Sequence, residues 1–266
     1  MTRAARGGRS EVGVRVHDDL AALSRAAADA FVAAAAAAVA ARGRFVIALA
    51  GGETPRALYH ELAERYGERA FWTATDVYFG DERCVPPNDA ASNFGMARAE
   101  LLSRVAVPEG RVHRIAGERR PPQEEAVAYD TLLRRELAGG GGGGAAAGRS
   151  GDATFDVALL GVGADGHTAS LFPHDHEALD ERARWALAVH APPGVAPPER
   201  ITLTLPVLNR ARAVWVLAAG AGKASAVRLS LSDRDPVPPA GRVRGTAETV
   251  WFLDRAAAAE LSSEQA

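Results

Sequence analysis

The chain has a single cysteine, Cys84, among 266 residues. One thiol can form neither an intramolecular disulfide framework nor a cysteine-based zinc cluster, and such usage fits a reducing, cytosolic compartment. An excess of positive charge is also missing. The 31 Lys and Arg stand against 33 Asp and Glu, for a formal net charge of −2, so no overall basic field favours nucleic acid. The longest apolar run is the alanine tract at residues 30–41, bracketed by Asp29 and Arg42. It is expected to be too short and too weakly hydrophobic to span a bilayer, and reads instead as an amphipathic helix in the best helix-forming residue. The opening MTRAARGGRS is basic, but no apolar segment of a secretory signal follows it. Residues 1–10 are therefore expected to be a disordered leader. The protein is expected to be cytoplasmic, with neither a membrane nor a nucleic-acid partner. No feature sets the oligomeric state, and a monomer is the expectation.

Apolar strands then alternate with helical segments. Residues 11–16 alternate as a short strand, and Asp18 can cap a helix running to Arg42. Residues 45–49 form an apolar strand that ends in a glycine turn before a helix at 56–64. Residues 77–80 read as a buried strand followed by a polar loop at 81–91, after which Ser92 or Asn93 can cap a helix through Leu102. A helix at 123–137 leads into the glycine run 139–144, a flexible surface linker by composition. Further strands are expected at 155–160, 184–190, 213–218 and 249–253, with a helix at 222–231 and a last helix after the final strand. Apolar runs of this kind, separated by helices, predict an α/β fold: a mostly parallel, Rossmann-like sheet with helices on both faces. Strands of the same type lie on both sides of the glycine run. Residues 11–266 are accordingly expected to form a single α/β catalytic domain with a flexible Gly-rich loop at 138–151.

Four places can carry chemistry. The turn Gly51-Gly52-Glu53-Thr54-Pro55 opens a helix, and glycines that admit a ligand to a helix N-terminus make an anion site. No lysine follows, so it is not a Walker A loop. Asp81-Glu82-Arg83 lies just past a buried strand, where a guanidinium can take phosphate bidentately. Gly161–Pro173, GVGADGHTASLFP, contains a formal G-x-G-x-x-G. A dinucleotide fingerprint needs its third glycine inside a long helix of a first βαβ unit, whereas Pro173 cuts this one short beyond mid-chain. Asp165 and His167 remain, a general base with its orienter. Ser170 is close by, but G-H-T-A-S is not a nucleophile elbow. His174 and His176 form an H-x-H without an evident third ligand, so no metal is expected. Finally, Lys223 follows the strand 213–218. Thr54, Arg83, His167 and Lys223 thus all fall at the C-terminal ends of strands, where ligands of parallel sheets bind.

The segments AGGETP, GDERCVPPNDAASNFGMARAELL, FDVALLGVGADGHTASLFP, PERITLTLPVLNRARAVWVLAAGAGKASAV and RVRGTAETVWFLD resemble, in order and spacing, those of the 6-phosphogluconolactonase family. The resemblance covers nearly the whole chain from about Val14. It implies hydrolysis of a sugar-phosphate lactone, 6-phospho-D-glucono-1,5-lactone, to 6-phosphogluconate in the oxidative pentose phosphate pathway, without metal or organic cofactor. By the same resemblance His167 is the general base for water and Asp165 orients it. Arg83 and Lys223 hold phosphate or lactone oxygens, Gly51, Gly52 and Thr54 form the anion-binding turn, and Asp81 lies near the sugar hydroxyls. The related glucosamine-6-phosphate deaminase/isomerases share the D-G-H turn but look for a glutamate just before its proline. Here that place is Phe172, which cannot transfer a proton. Glu53 is a second departure, since the family more often has a small hydroxyl residue there. A carboxylate so close to phosphate is unfavourable unless it points outward.

Overall fold

The computed structural model describes residues 11–137, 155–232 and 235–262. The expected leader at 1–10 and the glycine-rich loop at 138–151 lie outside the described residues. Strand β1 (Val12–His17) leads to helix α1 (Leu20–Arg42), then β2 (Phe45–Leu49), α2 (Glu53–Tyr66), β3 (Thr75–Phe79) and β4 (Asp81–Arg83). Helix α3 (Asn93–Ala97) continues into a π-turn at Arg98–Leu102, and α4 (Pro122–Leu137) follows. After it come β5 (Val157–Gly161), α5 (His176–Asp180), β6 (Ala186–His190), β7 (Glu199–Leu203), α6 (Leu205–Leu208) and β8 (Ala213–Ala218). The chain closes with α7 (Ala224–Ser230), α8 (Pro239–Arg242) and β9 (Glu248–Asp254). Residues 255–260 then form turns rather than the expected last helix.

The main sheet has six parallel strands in the order β1-β9-β8-β5-β2-β3 and is flanked by helices, the expected Rossmann-like α/β architecture. Its central strands are buried along their length, which is why they read as unbroken apolar runs. The chain leaves β2 toward β3 on one side and leaves β5 toward β8 on the other. The crevice beyond the carboxyl ends of β2 and β5 is therefore a topological switch point, where open parallel sheets bind ligands. Two buried tyrosines hold the strand ends there. The Tyr59 hydroxyl donates to the Ala50 carbonyl at 2.7 Å and accepts from its N–H at 2.9 Å. The Tyr129 hydroxyl accepts from the Phe79 N–H at 3.0 Å.

Two expectations change. Residues 81–83 are not loop, and 184–190 does not join the parallel sheet. β4, β7 and β6 form a separate antiparallel sheet in that order. Gly80 joins the two sheets: its N–H donates to Leu49 O and its carbonyl accepts from Leu203 N–H, both at 2.8 Å. A three-residue strand made of Asp, Glu and Arg has no apolar signal of its own. Only the partner strand makes it one.

Helix α1 also departs in detail. Asp19, not Asp18, is the N-cap and accepts from Ala22 N–H at 2.7 Å. A cap must lie immediately before the first helical residue, so Asp18 is left to pair with Arg255 at 2.6 Å. The helix is 23 residues long, extending well beyond the alanine tract at 30–41, and by length and composition alone it could cross a membrane. It serves the core instead. Leu23, Ala27, Phe31, Ala35 and Ala38 are buried, and Phe31 packs on Phe45, Phe71 and Trp72. Burying a side chain such as Phe31 contributes about 2–3 kcal/mol.

Candidate active site

β5 ends at Gly161, and the chain turns tightly to bring Asp165 and His167 together. The Gly163 N–H donates to His167 O at 2.8 Å, and the Gly166 N–H to Gly163 O at 2.9 Å. Gly166 sits at φ +82°, and a Cβ on Gly163 would stand 2.1 Å from His167 Nδ1 and 2.5 Å from Asp165 Oδ1. Any side chain at 163 would push the pair apart, so this glycine serves the close approach of an imidazole and a carboxylate. Asp165 Oδ1 lies 2.5 Å from His167 Nδ1 and accepts the His167 backbone N–H at 3.1 Å. Partial burial by itself would raise the Asp165 pKa. The hydrogen bond and charge of His167, with the backbone N–H groups, outweigh it and hold the carboxyl below its ordinary value. An ionised carboxylate at this distance leaves the proton on Nδ1 and the lone pair on Nε2. The imidazole rests on the buried Phe172 ring, centroids 4.8 Å apart, and His174 stacks against the same ring at 5.7 Å.

A second buried layer faces this turn. Asp81 Oδ2 accepts from Ser170 Oγ at 2.6 Å, and Asp81 Oδ1 from Asn93 Nδ2 at 3.0 Å. Glu82 points the other way and accepts from Arg83 N–H, Asn93 N–H, Phe94 N–H and Ser92 Oγ at 2.7–3.0 Å. Burial raises the Glu82 pKa even though those backbone bonds oppose it. Ser92 caps α3 by accepting Gly95 N–H at 3.0 Å. One buried carboxylate thus fixes the loop that carries Arg83 and Asn93.

The cations complete the site. Arg83 and Arg200 stand directly opposite each other on β4 and β7, an arrangement that normally destabilises an antiparallel pair. Each is held by one carbonyl: Arg83 Nη1 donates to Ala91 O at 2.6 Å, and Arg200 Nε to Pro197 O at 2.8 Å. Burial first, and then the charge of Arg83, lower the Arg200 pKa. Among the described residues neither arginine, nor Lys223, forms an ion pair with a carboxylate. Unpaired guanidiniums side by side are a place for an anion.

One cleft of about 170 Å³ gathers Gly51, Gly52, Asp81, Arg83, His167 and Lys223, and Arg200 and Asn93 line it as well. Asp165 stands behind His167. Thr54 is on the first turn of α2 and outside the lining. Glu53 is exposed and lies 3.8 Å from Arg56 along the same helix, so its carboxylate faces away from the cleft. A larger open groove of about 1030 Å³ runs over Phe94, Met96, Leu102 and Val112. It contains neither His167 nor the unpaired cations, so chemistry rather than size identifies the site. Among the described residues no group of three or more His, Cys, Asp or Glu side chains converges to hold a metal ion.

Sequence reasoning passed over Arg200, Asn93 and Ser170. Arg200 had a signal, because the alternation in RITLTL puts Arg200 and Thr202 on one face of a strand. Its partner strand, residues 81–83, has the composition of a polar loop. Asn93 has only the local signature of a cap. Ser170, set aside as a nucleophile, is the donor that ties the histidine turn to Asp81.

Residues 18–251 match the family of glucosamine-6-phosphate isomerases/6-phosphogluconolactonase. The chain is 40% identical over 258 residues to a 6-phosphogluconolactonase of Mycobacterium tuberculosis, covering 94% of this chain and 98% of that one. It is 39% identical over 231 residues to a 6-phosphogluconolactonase of Homo sapiens, covering 84% and 83%. The solved 6-phosphogluconolactonase of Trypanosoma brucei superposes with a TM-score of 0.79 at 29% identity, over 95% of this chain and all of that one. A match over most of the chain, carried by the same sheet that builds the cleft, makes this protein a member of the glucosamine-6-phosphate isomerase/6-phosphogluconolactonase family.

Proposed function

We infer that the chain is an enzyme that hydrolyses 6-phospho-D-glucono-1,5-lactone to 6-phospho-D-gluconate. The observation that carries the reading is one cleft holding both an oriented imidazole and three cations that have no carboxylate partner among the described residues. His167 Nε2 takes a proton from water as that water attacks the lactone carbonyl. The tetrahedral oxyanion is met by backbone N–H groups of the glycine turns or by a cation. Collapse breaks the bond from the carbonyl carbon to the ring oxygen, which leaves as a hydroxyl with the proton His167 had taken. A lactone is an activated ester, so a positioned base and oxyanion donors suffice without a covalent intermediate. Asp165 keeps Nδ1 protonated throughout and faces the imidazolium when it forms.

The phosphate lies away from the bond that breaks. Arg83, Arg200 and Lys223 hold it, with Gly51 and Gly52 at the N-terminus of α2 adding N–H groups, and its binding energy positions the ring. Phe172 supports the lactonase reading over ammonia release from glucosamine 6-phosphate. It fills the place before Pro173 with a buried ring against His167 and offers no proton for ring opening. Purified protein should accelerate hydrolysis of freshly generated 6-phosphogluconolactone without added metal and release no ammonia from glucosamine 6-phosphate. The opposite pair of results would assign it to the deaminase branch. Binding of the lactone without any turnover would make it a sensor. A cytoplasmic location belongs to the same reading, and cell fractionation tests it.

A further inference from the structure

Asn93 carries an acceptor that the protein leaves unanswered. Its side chain is 1% exposed and lies in the wall of the cleft. Its amide nitrogen donates to the Asp81 carbonyl at 2.9 Å and to Asp81 Oδ1 at 3.0 Å. Those bonds fix which end of the amide is which, because the reversed amide would set an oxygen against two acceptors. Oδ1 therefore points to the Gly51 turn, where a Cβ on Gly51 would stand 1.9 Å from it. Among the described residues no donor bonds to this oxygen. Buried carbonyl oxygens are rarely left so, and one in a cleft wall calls for a ligand that donates.

The other groups of the cleft already have partners of their own kind. The cations suit an anion, and His167 faces the water. Asp81 accepts from Ser170 and Asn93. What remains of a sugar lactone is a ring bearing hydroxyls, each able to donate. We propose that Asn93 is a specificity-determining residue whose Oδ1 accepts a hydrogen bond from one ring hydroxyl. This rests on the lactone reading above and adds the group that reads the ring rather than the phosphate or the carbonyl. A neutral acceptor held by two bonds on its far side discriminates sharply, because a ring carbon without its hydroxyl leaves the buried oxygen unpaired. Gly51 is part of the device, since any side chain there would take the space of the amide.

The test compares kcat/KM for 6-phosphogluconolactone and its 2-deoxy, 3-deoxy and 4-deoxy analogues in wild type, Asn93→Ala and Ser170→Ala. Wild type should penalise one deoxy position about ten- to a hundredfold more than the others. In Asn93→Ala that penalty should collapse to within about twofold, with the other two unchanged. Ser170→Ala removes a donor from the same Asp81 without touching Oδ1. It should slow all four substrates and keep the penalty. An unchanged penalty in Asn93→Ala, or an equal collapse in Ser170→Ala, overturns the proposal. If Asn93→Ala does not fold by circular dichroism, Asn93→Ser, whose hydroxyl is too short to reach the ring, answers the same question. Absence of lactone turnover in wild type would bring down the lactone reading and this inference with it. Turnover with unaltered penalties would bring down this inference alone.

Discussion

At the start of β5 the buried Asp156 is met by Arg42 at 2.6 Å, Arg212 at 3.5 Å and the Val46 N–H at 2.9 Å. Five residues of strand later the chain reaches a cleft where Arg83, Arg200 and Lys223 stand without a carboxylate partner among the described residues. Charge is therefore treated in opposite ways at the two ends of the main sheet's strands, with β4 and β7 of the small sheet bringing two of the cations to the carboxyl end. At the amino edge, charges satisfy one another and the gain is stability. At the carboxyl edge, Arg83 and Arg200 are each held by a backbone carbonyl, the arrangement on which the proposed binding of an anion rests. Removing a charge should weaken the fold at the first edge and binding or catalysis at the second.

The largest effect is expected at the carboxyl edge. His167→Ala should lower kcat about 10²- to 10⁴-fold, with a melting temperature within about 2 °C of wild type. Comparable turnover in that variant would remove the imidazole from the reaction. Asp156→Ala should do the converse, costing about 3 kcal/mol in urea unfolding by leaving Arg42 and the Val46 N–H without their acceptor. Its kcat/KM at 25 °C should match wild type, and a drop there would mean that the two edges are coupled. Arg200→Met keeps most of the stem and removes a guanidinium facing Arg83. It should raise KM for the phosphorylated lactone roughly tenfold or more and scarcely change turnover of unphosphorylated gluconolactone. Its unfolding midpoint should stay level or rise, since a like-charge pair is relieved.

The smallest effect is in the pH dependence of stability. The Asp165 pKa lies below its ordinary 3.8 in the folded chain. The stabilisation from its ionised form is complete above that ordinary value and disappears as pH falls through the lower folded one. Asp165→Asn should therefore flatten the acid limb of a melting-temperature profile recorded from about pH 5 downward. A limb equally steep in both proteins would show that the carboxylate is not held as the short His167 contact implies.

Much of this arrangement was legible in the residues, and the gaps have a common cause. The strands at 45–49, 155–160 and 213–218 announced themselves as apolar runs, and Ser92 as a cap has the local chemistry that caps require. The turn at 161–173 also read correctly, because glycine, aspartate and histidine at that spacing suffice to bring the two side chains together. β4 was missed because Asp81, Glu82 and Arg83 look solvated. Their burial depends on Asn93 and Phe94 for Glu82, on Ser170 for Asp81 and on β7 for pairing. Arg200 was passed over for the same reason, since its meaning comes from Arg83 across the ladder. The alanine-rich helix was legible to within one residue of its start, but only its contacts with Phe45, Phe71 and Trp72 show which of its faces is core.

The sequence by itself determined the alternation of buried strands and helices, the glycine turns, and the Asp165–His167 pair with Phe172 beside it. These follow from periodicity, backbone freedom and side chains within a few residues of each other. Tertiary structure alone decided that a run of charges would become a strand, that two arginines would face each other, and that Asn93 would turn an unpaired oxygen toward Gly51. Each of those depends on a partner tens of residues away, and no local pattern encodes which buried polar group will find one.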